Sequence, residues 1–136
     1  MKFTIKAAAV VVAAVAGVGM EASTASATPT PIHYNVASIN VDGCVGQLDA
    51  YWDNGIAYVR VEFLSNGHHC MGSLWRKQYD QPVVLASNWY YFGPGDQDGY
   101  SPVTGWHWDG GMQSQVYSHI YIRNLDTDNY GSSVPW

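Results

Sequence analysis

The stretch QLDAYWDNGIAYVRVEFL, from Gln47 to Leu64, limits the fold more than any other part of this chain: two alternating runs flank an Asn-Gly pair. Asn and Gly tolerate the positive φ angles of a type I′ turn, and that turn has the twist two antiparallel strands need. A hairpin is therefore expected around Asp53 to Gly55. In its second arm Ala57, Val59, Val61 and Phe63 share one face, while Tyr58, Arg60 and Glu62 share the other. A period of two buries one face and leaves the other to solvent or a ligand.

The same signals recur downstream. SNGHH, with Asn66 and Gly67, repeats the Asn-Gly device ahead of CMGSLWRKQY, in which Cys70, Gly72 and Leu74 alternate with Met71, Ser73 and Trp75. PVVLASNWYYF (Pro82 to Phe92) reads as one further strand. VYSHIYIRN (Val116 to Asn124) puts Val116, Ser118, Ile120 and Ile122 on one face. Beyond the N-terminal leader no window has helical periodicity. The expectation is an all-β fold: a small antiparallel β-sandwich or barrel of about six or seven strands, with one disulfide and an extended N-terminal tail.

The N-terminus reads as a secretory leader. Lys2 and Lys6 precede the apolar run Ala7 to Met20, and Ala25-Ser26-Ala27 has the small-x-small form of a cleavage site. The run is shorter than the ~20 residues a membrane-spanning helix needs. The expected organisation is a signal peptide at 1–27, an extended segment at 28–41 and a β-domain at 42–136, with the mature protein secreted. Export to an oxidising compartment makes Cys44 and Cys70 a disulfide; closing a loop of about 26 residues contributes about 3 kcal/mol by chain entropy. A metal reading of His68, His69 and Cys70 fails because neighbours on a strand point to opposite faces and no second ligand pair follows.

After the leader, Arg60, Arg76, Lys77 and Arg123 face ten carboxylates. That balance repels phosphate backbones and anionic lipid, so neither nucleic acid nor membrane is an expected partner. The motifs of nucleophilic, metal-dependent and nucleotide chemistry are missing. Glu62 is the one glutamate left, and Asp96, Asp98 and Asp109 fall in glycine-rich stretches where Asp is favoured as a turn residue. Asp126-Thr127-Asp128 starts like an EF-hand loop but puts Tyr130 at its fifth position. DNYGSS, Asp128 to Ser133, resembles a βγ-crystallin calcium motif, which those domains use in pairs; here there is one. No catalytic residue, metal site or cofactor is assigned.

What needs explaining is the aromatic load, ten Tyr and six Trp. About half is expected in the core, because aromatics favour strands. The rest concentrates between Asn88 and Gly111, where Trp106 and Trp108 are expected to pack inward and Trp89 or Tyr91 to form a contact rim. Rings of this kind are enriched where a surface meets protein, and they also stack on sugars. TPTPIH, Thr28 to His33, should run extended, and YNVASINV, Tyr34 to Val41, reads as a strand or as one waiting for a partner. Strand addition would then present Ile32, Tyr34 and Val36 as alternate side chains. The expected function is protein binding; the alternatives are a carbohydrate-binding domain or a secreted inhibitor.

The leader, the Thr/Pro-rich extension, CMGSLWR (Cys70 to Arg76), GWHWDGG (Gly105 to Gly111) and VYSHIYIRN together resemble the small secreted β-domain proteins of actinobacteria. Among these the chain is similar in size and layout to the adapter subunit of umbrella toxin particles, secreted antibacterial assemblies. The resemblance implies a non-enzymatic linker between a repeat-containing toxin scaffold and a lectin-like protein. It further implies that the N-terminal extension, Thr28 to Val36, docks into the lectin-like partner.

Overall fold

A computed structural model describes residues 30–111 and 115–136; the expected leader and the first two residues after it lie outside the described residues. Nine strands build two antiparallel sheets: β1 (His33–Val41), β2 (Cys44–Asp53), β3 (Ile56–Ser65), β4 (Cys70–Gln78), β5 (Val84–Leu85), β6 (Tyr90–Phe92), β7 (His107–Gly111), β8 (Val116–Asn124) and β9 (Tyr130–Ser132). The first sheet runs β1-β2-β3-β7; the second runs β5-β4-β8-β9, with β6 also paired to β4. The fold is thus an all-β sandwich. Among the described residues no helix is long and apolar enough to cross a membrane.

The hairpin forms as its sequence requires. Asp53 pairs with Ile56 across Asn54 and Gly55, whose φ angles of 49° and 80° are those of a type I′ turn. Asp42 and Gly43 make a second such turn between β1 and β2. Leu48, Ala50, Val59, Val61 and Phe63 from the first sheet meet Leu74, Phe92, Ile120 and Ile122 from the second, all buried. Cys44 at the start of β2 and Cys70 at the start of β4 join the sheets as a disulfide, with Cα atoms 5.8 Å apart. The sheets approach closely at Gly72, where a Cβ would fall 2.6 Å from Cε1 of Phe63.

Three expectations change. Asn66-Gly67 does not close a hairpin, because β3 and β4 belong to different sheets and the link between them crosses the sandwich. Asn66 donates its N–H to the Gly43 carbonyl and so ties that crossing to the β1–β2 turn. The strand expected over Pro82 to Phe92 is split into β5 and β6, both on β4. At the split the Ser87 hydroxyl accepts the Leu74 N–H at 2.9 Å, where a ladder would use a carbonyl. Finally, no Tyr or Trp is fully buried: every one of the ten and six is at least partly exposed, with Tyr90 and Trp136 packed against the edge of the core. Phe63, Phe92 and aliphatic side chains fill the space between the sheets.

Candidate binding surfaces

The expected N-terminal docking segment lies partly within the first sheet. His33–Val41 is β1, antiparallel to β2, so the strand that could have awaited a partner has one. The register shifts between His33 and Ala37, and Asn35 takes a positive φ of 53° there, its N–H donating to Asp49 Oδ1 at 3.1 Å. This bulge breaks the alternation assumed for Ile32, Tyr34 and Val36. Val36 packs against the core, Tyr34 is 68 % exposed, and Ile32 lines a groove on the outer side of the sheet.

The two edges of β1 differ. Val41 pairs with Cys44 next to the two-residue turn, so Val41, Ile39 and Ala37 bond to β2 and the main-chain groups of Ser38 and Asn40 point away from it. Other long strands have both edges covered. Tyr100–Thr104 covers β3, with Ser65 and Phe63 donating to the Tyr100 and Pro102 carbonyls at 3.1 and 2.9 Å. β5 and β6 cover β4, while β9 and the stretch to Trp136 cover β8, where Ser118 and Trp136 exchange hydrogen bonds of 3.1 and 3.0 Å. Among the described residues no segment covers the outer edge of β1, whose sequence HYNVASINV has no Lys, Arg, Asp or Glu to discourage pairing.

Trp89 and Tyr91 are exposed, as expected of a rim. Trp89 is the centre of a row across the outer face of the second sheet: Trp75 to Trp89 6.0 Å between ring centroids, Trp89 to Tyr121 5.6 Å, Tyr121 to Tyr130 6.2 Å. The first two contacts are edge-to-face, which ridges the surface and holds the rings against one another. The Trp75 indole N–H is satisfied by Ser73 Oγ at 2.8 Å. Arg123, held by Asp128 through Nε at 3.0 Å, and Met71 flank the row. Sequence reasoning missed Trp75, Tyr121 and Tyr130 because they come from β4, β8 and β9, and no local window contains them.

Trp106 and Trp108 do not pack into the core. β7 begins at His107, which pairs with Val59 and so takes the inward direction. Trp106 precedes the ladder and lies edge-on to Tyr51 at 4.6 Å, with the Arg60 guanidinium 4.7 Å over its ring. Trp108 sits at the sheet margin under Arg76, which is 5.3 Å from its ring centroid and donates to its carbonyl at 3.0 Å.

Asp109 also departs from expectation. It is a buried residue of β7, not a turn residue, and accepts a hydrogen bond from Ser118 of β8. Burial pushes its carboxyl up to about 6, against the Ser118 hydrogen bond and the Arg76 charge, which favour ionisation. Burial and then Arg76 hold His107 below the ordinary histidine value. Ser118, 1 % exposed, donates to this carboxyl from inside the sandwich, away from solvent. The cluster reads as a polar plug between the sheets.

Asp96 and Asp98 are turn residues; Asp98 Oδ2 accepts the Tyr91 N–H at 3.0 Å. The acids of the two calcium-like stretches knit loops together. Asp128 holds Arg123, Asp42 accepts from Thr127 and Asn129 at 2.8 and 2.6 Å, and Asp126 accepts the His69 N–H at 2.9 Å. Among the described residues no group of three His, Cys, Asp or Glu is placed to hold a metal ion. No protein-family model, curated protein or solved structure matches this chain.

Proposed function

We propose that this chain is a secreted, non-catalytic protein-binding domain that acts as an adapter between two other proteins. The observation that carries the reading is the edge of β1, open among the described residues, in a fold whose other long strands have both edges covered by its own chain. An unpaired, uncharged edge accepts an extended segment by main-chain hydrogen bonding, with affinity from the backbone and selectivity from neighbouring side chains such as exposed Tyr34. The N-terminal extension thus serves as the acceptor of a strand.

The aromatic row on the opposite sheet supports a second partner. Trp, Tyr, Arg and Met are the residue types enriched at the centre of protein interfaces, and all four occur there. β1 is the margin of the first sheet and the row lies on the outer face of the second, so the two surfaces are distinct. In the setting the sequence resemblance implies, the β1 edge meets the lectin-like protein and the aromatic face meets the repeat-containing toxin scaffold.

The test is Ser38→Pro, which removes an outward N–H and obstructs the edge without removing a β1–β2 hydrogen bond. Tagged wild type and variant are incubated with native culture supernatant, and captured proteins are identified. Amide exchange is then measured at Ser38 and Asn40 with each purified partner. One partner should be lost with the variant and should slow exchange at both amides in the wild type. Equal capture by the two proteins, or unchanged exchange, refutes the acceptor role.

A further inference from the structure

The outer face of the first sheet carries a feature the adapter reading does not use. An open groove of about 260 Å³ is lined by Thr30, Ile32, Tyr51 and Trp106. β1 and β3 flank β2 on opposite sides, so Tyr51 has Tyr58 on one side, nearly parallel at 13° and 5.1 Å, and the Thr30–Ile32 wall on the other. Trp106 closes the groove at right angles to Tyr51, the planes 89° apart. Two aromatic rings thus meet at a corner, each held by a second contact: Tyr58 for Tyr51 and Arg60 for Trp106.

Polar groups stand beside this corner. Asp49, 2 % exposed, fixes Arg60 through Nε at 3.1 Å and is itself held by the Asn35 N–H. Among the described residues Arg60 is engaged through Nε alone, which leaves its terminal nitrogens as donors next to the Trp106 ring. Thr30 adds a hydroxyl from an exposed position on the opposite wall. The volume lies just below the roughly 300–1,000 Å³ of sites that take drug-sized ligands, which suits a single ring. Four residues are too few to seat an extended peptide.

We propose that this groove binds one pyranose ring of a saccharide. The apolar C–H face of the sugar lies on Tyr51 and against Trp106, and its equatorial hydroxyls meet Arg60 and Thr30. A ring with one apolar face and a polar circumference is the ligand that matches a groove with two aromatics and a hydroxyl in its walls and a guanidinium over one of the rings. The pair Asp49–Arg60 is neutral overall, so the site has no requirement for an acidic sugar. This site is independent of the β1 edge and of the aromatic row, and either can fail without the other.

The experiment is an NMR titration of the folded protein with glucose, galactose, N-acetylglucosamine and their β-1,4-linked dimers. Saturable shifts at the Trp106 indole and Tyr51 ring are expected with at least one of them. Thr30→Val, an exposed substitution that leaves the fold intact, should weaken that binding about three- to tenfold, the value of one hydrogen bond. Trp106→Ala should abolish it; Trp106→Phe, which keeps a ring, should restore part of it if the alanine variant fails to fold. No response to any of the sugars, shifts that map to Trp75, Trp89 and Tyr121 instead, or affinity unchanged in Thr30→Val overturns the proposal.

Discussion

Asp109→Asn is the perturbation that most directly tests how the two sheets are joined. The Asp109 carboxyl moves from an ordinary 3.8 to about 6 on folding, chiefly through burial. A raised acid contributes stability that is fully present below its unfolded pKa and is lost as pH rises through the folded value. A tenfold change in proton affinity is worth about 1.4 kcal/mol, so the loss between about pH 4 and pH 7 reaches roughly 3 kcal/mol as an upper bound. Asn stays neutral, fits the same space and can still accept from Ser118. The variant should therefore be more stable than wild type at neutral pH by up to about 3 kcal/mol, with the advantage vanishing near pH 4. Urea unfolding at several pH values between these limits measures it. His107 and His119, held low by burial, lose stability as pH falls below the ordinary histidine value, but that contribution is common to both proteins and cancels in the difference. A wild-type-minus-variant difference that does not change with pH would show that Asp109 is ionised in the folded state and that the plug is solvated.

Three further outcomes follow from the packing and the surface. Replacing both Cys44 and Cys70 by Ala should lower unfolding free energy by about 3 kcal/mol, read from the urea midpoint, and an unmoved midpoint would mean the sheets hold without their staple. Gly72→Ala sets a methyl 2.6 Å from Phe63, whose full burial prevents retreat, and should cost about 1–3 kcal/mol in the same assay. Trp89→Ala, on an exposed ring, should change stability by less than about 1 kcal/mol yet weaken capture of the second partner by about 2 kcal/mol or more, measured by calorimetry. Retained affinity there would remove the aromatic row from the interface.

Much of the fold was legible because local chemistry set it. Asn54-Gly55 can make the tight turn, the alternation in Ile56–Ser65 and Val116–Asn124 can bury only one face, and the two cysteines of the sequence have only each other. What was not legible depended on partners distant in sequence. Asn66-Gly67 is the same dipeptide whether the chain reverses within a sheet or crosses to the other, and only the Gly43 carbonyl it meets decides between them. At the Asn35 bulge Asp49 receives the main-chain N–H, and past it Val36 lies against the core instead of on the expected binding face. Asp109 has the local sequence of a turn residue, beside Gly110 and Gly111; Ser118, on the next strand, makes it an interior group.

The placement of the aromatics links stability to function. The fully buried interior is built from Phe, Val, Leu and Ile, and each of the sixteen Tyr and Trp side chains left at the surface exposes apolar area to water. Some have structural duties: Trp52 packs against Trp136 at 5.5 Å over the end of the sandwich, and His33 meets it edge-on at 5.1 Å. In the Trp75–Tyr130 row the indole of Trp75 bonds Ser73, and the rings pack against one another. That arrangement holds broad, rigid side chains in place before any partner arrives, so little rotamer entropy remains to be lost on binding. A row built only to shield β4 and β8 would not leave Tyr130 at 70 % exposure; pre-ordered and uncovered among the described residues, it is the face the adapter reading gives to a second partner.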